Sequence, residues 1–325
     1  MSLKQTAQNL GLGRLALALW HQPIAKLRDS WRHGGPLAER ETERQRLEMV
    51  AAALELPPLP AATPDSPLVF HLLTGRRFWY QTAFCLHSLA RTAGAPIRAE
   101  IYDDGTIDPE VDGWLRRLGP AVTIHPQAGI IARLDRILPA DRFPVLRERW
   151  INYPNIRKLT DVHAGSTGWK LVIDSDLLFF RRPEFLLRWL QAPDRPLHAV
   201  DCEESYGYSR PLMERLAGAT IPPLANVGLC GLRSEGLDWV ELEAWCAVLI
   251  AKERTSYYLE QALVAMLAAR QPCAVAPAAD YLTLPGRDEV NAPRAVMHHY
   301  VAQAKRWYFR QGWRHVATTR GSTER

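Results

Sequence analysis

From Leu68 onward the chain alternates short apolar runs with longer stretches of helical spacing, and no other feature constrains its fold as strongly. LVFHLL (68–73) suits a strand and runs into Thr74-Gly75, and FWYQTAFCLHSLARTAG (78–94) repeats at helical spacing and stops at a glycine. The same alternation continues through IRAEIYDDG (97–105), a helix from Pro109 to Leu118, the strand-like AVTIH (121–125) and a helical stretch reaching Tyr153. WKLVIDSD (169–176), LHAVDC (197–202) and NVGLCGL (226–232) are further candidate strands. Helices near Trp239–Lys252 and Tyr257–Ala269 follow, and then CAVAP (273–277) and AVMHHYV (295–301). Strands separated by helices must be joined by crossovers, which predicts an α/β fold with a mainly parallel central sheet covered by helices on both faces.

The residues before Leu68 read differently. ERETERQRLEMVAAALEL (39–56) predicts a polar-rich helix, and PPLPAATPDSP (57–67) breaks regular structure with its prolines. We read 1–66 as an N-terminal helical appendage with a linker, and 67–325 as the main domain. GLGRLALALW (11–20) is a short apolar patch interrupted by Arg14, unlike the apolar core of a signal peptide. It suits an amphipathic helix docked on the body, or one making a peripheral membrane contact, and both readings stand.

Among 325 residues, 47% are apolar and 23% charged, the balance of an ordinary globular protein with a sizeable core. A net charge of +5 is compatible with an anionic small molecule, membrane surface or nucleic acid, and no nucleic-acid module accompanies it. Five scattered cysteines without CxxC spacing argue against a disulfide framework or a structural zinc site, and point to a reducing, cytoplasmic setting.

The chemistry concentrates in GWKLVIDSDLLFFRRP (168–183). A strand-like Leu171-Val172-Ile173 ends in Asp174 and Asp176, and more apolar bulk follows. Residues i and i+2 of a strand share a side, so the two carboxylates project together past its C-terminal end, where open α/β sheets bind ligands. Paired carboxylates repel, and a divalent cation such as Mg²⁺ or Mn²⁺ relieves that repulsion. The competing reading is a turn in which one Asp caps a helix beginning near Pro183.

WKLVIDSDLLFFRRP resembles the Asp-x-Asp strand of nucleotide-sugar glycosyltransferases with the GT-A fold. HLLTGRRFWYQTAFCLHSL is similar to their first strand and helix, and NVGLCGLRS to the Asn-x-Gly segment lining the sugar pocket. YYLEQALVAML resembles the helix with an acidic residue beside Gln, and HHYVAQAKRW the His-(x)5-Lys-x-Trp segment of the glycogenin-like family-eight branch. The likeness runs from Leu68 to Trp307, with the stretches in order.

The resemblance implies that Asp174 and Asp176 hold the cation bridging the donor's diphosphate, Asp176 directly and Asp174 through the metal or the ribose. His299 would be the third ligand, with His298 as an alternative because a one-residue strand slip exchanges which side chain faces the site. Lys305 would pair with the diphosphate. Two family positions differ here: Ala302 replaces a glycine, and Arg306 a proline. Arg157 or Lys158 would reach the donor, leaving the other solvated. Asn226 and Gly228 would lie along the donor sugar, and Glu260 with Gln261 beside the reacting carbon. Thr74, Asp103 and Asp104 would face the base and ribose.

These implications point to a metal-dependent glycosyltransferase using Mn²⁺ or Mg²⁺ and a nucleotide-diphosphate sugar, a UDP-sugar first. The acceptor, a glycan, lipid or small molecule, is left open. One rival is a sugar nucleotidyltransferase, which calls for a glycine-rich phosphate loop where TGRRFWYQ (74–81) has a single glycine. Another is a GT-A-fold scaffold that has lost its chemistry. If the metal reading is right, Asp176 and His299 should approach to roughly 4 Å.

Overall fold

The computed structural model describes residues 35–317, and these divide into two compact units with the boundary between Ala51 and Ala52. The smaller unit carries most of α1 (Gly35–Leu54), which begins before the expected Glu39 and is laced by i,i+3 and i,i+4 pairs of Arg44 with Glu41 and Glu48. The apolar patch at 11–20 lies outside the described residues.

In the larger unit the proline-rich stretch is pinned rather than free. Leu59 is buried and donates its N–H to Leu118 O at 2.8 Å, and Arg98 donates to Pro64 O at 2.6 Å.

The central sheet has seven strands in the order β3-β2-β1-β4-β7-β6-β8. They are β1 (Val69–Thr74), β2 (Arg98–Asp103), β3 (Val122–His125), β4 (Trp169–Ile173), β6 (Leu197–Val200), β7 (Ala225–Arg233) and β8 (Ala274–Val275). All run one way except β7, which is antiparallel to both its neighbours, β4 and β6. The mainly parallel sheet expected from the sequence is therefore present. Helices α2 (Trp79–Ala93), α3 (Pro109–Arg116), α4 (Gln127–Ile137), α5 (Pro144–Asn152) and α6 (Arg157–His163) fill the connections of its first half. Leu171, Val172 and Ile173 of β4 are all buried, as a strand covered on both faces requires.

The apolar bulk after the Asp-x-Asp pair proves to be a strand of its own. β5 (Leu177–Phe179) belongs to a second, three-stranded sheet in the order β5-β10-β9, with β9 at Tyr281–Thr283 and β10 at Met297–His299. β10 runs antiparallel to β5 and sets His299 opposite Leu177, the residue after Asp176. Tyr300 N also donates to Asp176 O at 3.1 Å. Sheet pairing thus brings a histidine from far along the chain to the carboxylates.

The remaining helices are α7 (Glu184–Gln191), α8 (Arg210–Ala217), α9 (Trp239–Glu253), α10 (Leu259–Ala268), α11 (Arg287–Asn291), α12 (Lys305–Trp307) and α13 (Arg314–Ala317), with a π-helical turn (Tyr308–Gly312) before the last. α10 is buried almost all round, which carries Glu260 and Gln261 into the interior. No helix among the described residues is long and apolar enough to cross a membrane.

Candidate functional site

β4 ends at Ile173, so Asp174 and Asp176 stand beyond the sheet's C-terminal edge as expected. Ser175 and Asp176 form a turn between β4 and β5, but neither Asp caps α7, whose N-terminus has no side-chain cap, so the capping half of the competing reading falls. His299 Nε2 lies 3.4 Å from Asp176 Oδ1 and 3.6 Å from Asp174 Oδ2. One donor atom from each of the three residues falls within 4.8 Å of the other two. Each carboxylate gives its other oxygen to a lysine: Lys158 Nζ is 2.9 Å from Asp174 Oδ1, and Lys305 Nζ is 2.5 Å from Asp176 Oδ2. Lys305 also donates to Gln81 Oε1 at 3.3 Å.

This donor set suits a divalent cation. Two carboxylate oxygens and one imidazole nitrogen face one another at separations too long for good hydrogen bonds and compatible with a shared ion of Mn²⁺ or Mg²⁺ type. Burial works against the Asp176 anion, but Lys305 and His299 outweigh it and hold its pKa below the usual carboxylate range.

The choice between the two histidines follows from strand alternation. His298 points the other way, with Nδ1 3.0 Å from Tyr300 Oη and Nε2 3.1 Å from Glu289 Oε1. His299 faces the carboxylates.

Gly228 makes room for it. A Cβ there would stand 2.4 Å from His299 Cε1 and 2.6 Å from its Nδ1. Gly228 O accepts from Asp174 N at 3.0 Å, and Asn226 Oδ1 accepts from Gly228 N at 2.9 Å. The Asn-x-Gly segment therefore braces the carboxylate–histidine cluster from the antiparallel strand β7. On the far side of His299, Leu284 (φ 60°) and Ala302 (φ 43°) both adopt left-handed backbone. Leu284 N donates to His299 O at 3.0 Å. Ala302 accepts a conformation that glycine takes at no steric cost, which is the physical meaning of the departure noted in the sequence.

Lys158 and Glu260 form a buried pair at 3.4 Å. Burial disfavours the Lys158 cation, yet Asp174 and Glu260 outweigh it and raise its pKa. Burial pushes the Glu260 carboxyl up to about 7, with Lys158 opposing. Gln261 donates through Nε2 to Asp201 Oδ2 at 2.9 Å.

Arg157 departs from expectation, because neither basic residue of that helix is solvated. Its guanidinium lies over the Trp150 ring at 4.4 Å and donates to Trp150 O at 3.0 Å and to Asp104 O, so it clamps α6 to the β2 loop. Only Lys158 of the two lines the cavity.

That cavity, about 620 Å³, takes in Asp174, Asp176, His299, Lys158, Lys305, Asn226, Gly228, Glu260 and Gln261. Thr74, Asp103 and Asp104 do not line it. Thr74 Oγ1 accepts from Thr82 Oγ1 at 2.8 Å inside the core. Asp103 Oδ1 accepts from Gly105 N at 2.7 Å and Ile107 N at 3.1 Å, and Asp104 Oδ1 accepts from Thr106 N at 3.0 Å. Both acids hold the β2–α3 turn, the plain role of a DDG sequence. The TGRR turn is likewise filled by protein: a Cβ on Gly75 would overlap Asp104, and Arg76 pairs with Asp108 and Glu110.

Sequence reasoning missed several cavity residues. Asp201 follows β6 as Asp174 follows β4, the same signature of a carboxylate at a strand's C-terminal end. Tyr153, Cys202, Glu203, Tyr257 and Tyr258 also line it and carry no comparable pattern.

No family model matches the chain, and no curated protein sequence does. Among solved structures it is similar to the galactosyltransferase LgtC in complex with donor and acceptor sugar analogues, at 13% identity and a TM-score of 0.50 over 77% of this chain and 95% of that one. It is also similar to the apo structure of the bifunctional glycosyltransferase WbbM, at 12% identity and a TM-score of 0.50, covering 75% of this chain and 48%, about half, of the other. Likeness at these identities fixes architecture and leaves the reaction to be argued from the site: the fold is GT-A-like, a mixed α/β sheet carrying an Asp-Asp-His cluster at its edge.

Proposed function

We propose that the chain is a glycosyltransferase that uses a divalent cation and a nucleotide-diphosphate sugar, with a UDP-sugar the first donor to test. The observation that carries this reading is the convergence of Asp174, Asp176 and His299, with a lysine held against each carboxylate, in one cavity at the C-terminal edge of the sheet. The LgtC structure is a complex with donor and acceptor sugar analogues and WbbM is a bifunctional glycosyltransferase, and these neighbours support the reaction class.

Asp174, Asp176 and His299 would hold the cation, which would supply positive charge to offset that of the donor's diphosphate. Lys305, fixed by Asp176 and Gln81, adds a second positive charge at the same oxygens. Lys158 holds Asp174 in orientation and neutralises Glu260 from within the fold. Asn226 and Gly228 set the position of His299. Glu260 and Gln261 present polar groups to the reacting carbon.

A screen of nucleotide sugars for Mn²⁺-dependent donor hydrolysis, with products identified by mass spectrometry, tests this directly. Release of nucleoside diphosphate from one donor class, abolished by chelation and in Asp176→Ala, is the expected result. Hydrolysis indifferent to metal, or none from any donor, would overturn it.

A further inference from the structure

Besides Lys158, Lys305, His299 and the carboxylate pair, the cavity is lined by Asp201, Glu203, Tyr257 and Tyr258. Tyr257 is 73% exposed and Tyr258 40%, although both rings are large and partly apolar. They meet edge to face at 5.4 Å between centroids. Their backbone is anchored: Tyr257 O accepts from Tyr153 Oη, Tyr258 N donates to Ser256 Oγ at 3.1 Å, and Gly207 packs so closely that a Cβ there would overlap Ser256. Two exposed rings on an anchored backbone thus line the cavity without being part of the core.

Two acids line the same cavity. Asp201 is half-buried and bonded to Gln261, whereas Glu203 is exposed and has no protein partner among the described residues. Carboxylates accept hydrogen bonds from sugar hydroxyls and repel phosphate or carboxylate groups, while an aromatic face covers the apolar C–H face of a pyranose.

We propose that Tyr257, Tyr258 and Glu203 form a saccharide subsite that takes an uncharged pyranose and rejects anionic sugars. Its role as the acceptor subsite rests on the transferase reading, but its affinity for a pyranose does not. An aliphatic alcohol offers no ring for the tyrosines, and a phosphorylated acceptor meets the two carboxylates.

Saturation-transfer NMR on the full chain tests this with methyl glycosides of glucose, galactose, mannose and N-acetylglucosamine, set against glucose 1-phosphate and glucuronic acid. We expect at least one neutral glycoside to bind, and to weaken roughly five- to tenfold in both Tyr257→Ala and Tyr258→Ala. Anionic probes should bind more weakly than their neutral counterparts and recover in Glu203→Gln. Both tyrosines are exposed, so circular dichroism should show the variants folded. Failure of every neutral glycoside to bind, equal binding in the tyrosine variants, or tighter binding of the anionic probes overturns the subsite. Donor hydrolysis on the same preparations separates the two ideas: saccharide binding without metal-dependent hydrolysis would sink the transferase reading and leave the subsite standing.

Discussion

Each carboxylate of the Asp-x-Asp pair divides its oxygens between a lysine and His299, and that division gives two half-buried acids a reason to be there. Another buried acid lacks such support. Asp161 Oδ1 accepts from Trp150 Nε1 at 2.7 Å and Thr160 Oγ1 at 2.9 Å, while its Oδ2 has no partner. Burial pushes its carboxyl up to about 6, against those hydrogen bonds. The folded state therefore favours the neutral acid. That contribution is fully present below the unfolded value near 3.8 and is lost as pH rises through about 6, a cost of roughly 2–3 kcal/mol at neutral pH. Asp161→Asn keeps an acceptor for Trp150 and removes the charge. We expect it to gain about 1–2 kcal/mol in urea denaturation at pH 7, with the gain fading toward pH 4. An equal gain at both values would refute this.

At the scale of elements, β7 and the β10 loop shape the metal cluster from opposite sides. Gly228→Ala would drive a methyl group into the His299 ring. We expect Mn²⁺ affinity, read by calorimetry, to fall by about tenfold or more while stability drops by only about 1–3 kcal/mol. Ala302→Gly has the opposite character, because it relieves a left-handed alanine at a cost in chain entropy. A small gain in thermal stability, about 0.5 kcal/mol, is expected, and a loss would mean that the methyl group packs usefully. This scale also shows what the sequence discloses. β4 and the Asp-x-Asp pair are legible because three apolar residues end abruptly in alternating acids. β5 and β9 are not, since three-residue strands carry no period, and β5 shares its apolar run with Phe180. The orientation of His299 rather than His298 depends on pairing with β5, a register the local sequence does not state.

For the whole molecule, the site joins the edge of one sheet to the middle strand of another. Asp174 follows β4 of the large sheet, and His299 ends β10 of the small one. A shared cation would therefore tie the two sheets together. At a hundredfold excess over its dissociation constant, Mn²⁺ should add about 2.7 kcal/mol of stability, or about 4–8 °C in Tm, with no such shift in His299→Ala. The GT-A-like plan was readable from strand–helix alternation and the order of motifs. The exposed tyrosine pair was not, because exposure is a property of the fold and Tyr257-Tyr258 alone does not reveal it. On the proposed reading, Asp174, Asp176 and His299 hold a cation needed to bind a nucleoside diphosphate. Calorimetry of UDP binding, with Mn²⁺ and with chelator, in wild type and His299→Ala, tests it most directly. Binding should be at least about tenfold tighter with Mn²⁺ in wild type, with little or no difference in the variant. UDP binding that ignores the metal, or a metal effect that survives intact in His299→Ala, would contradict it.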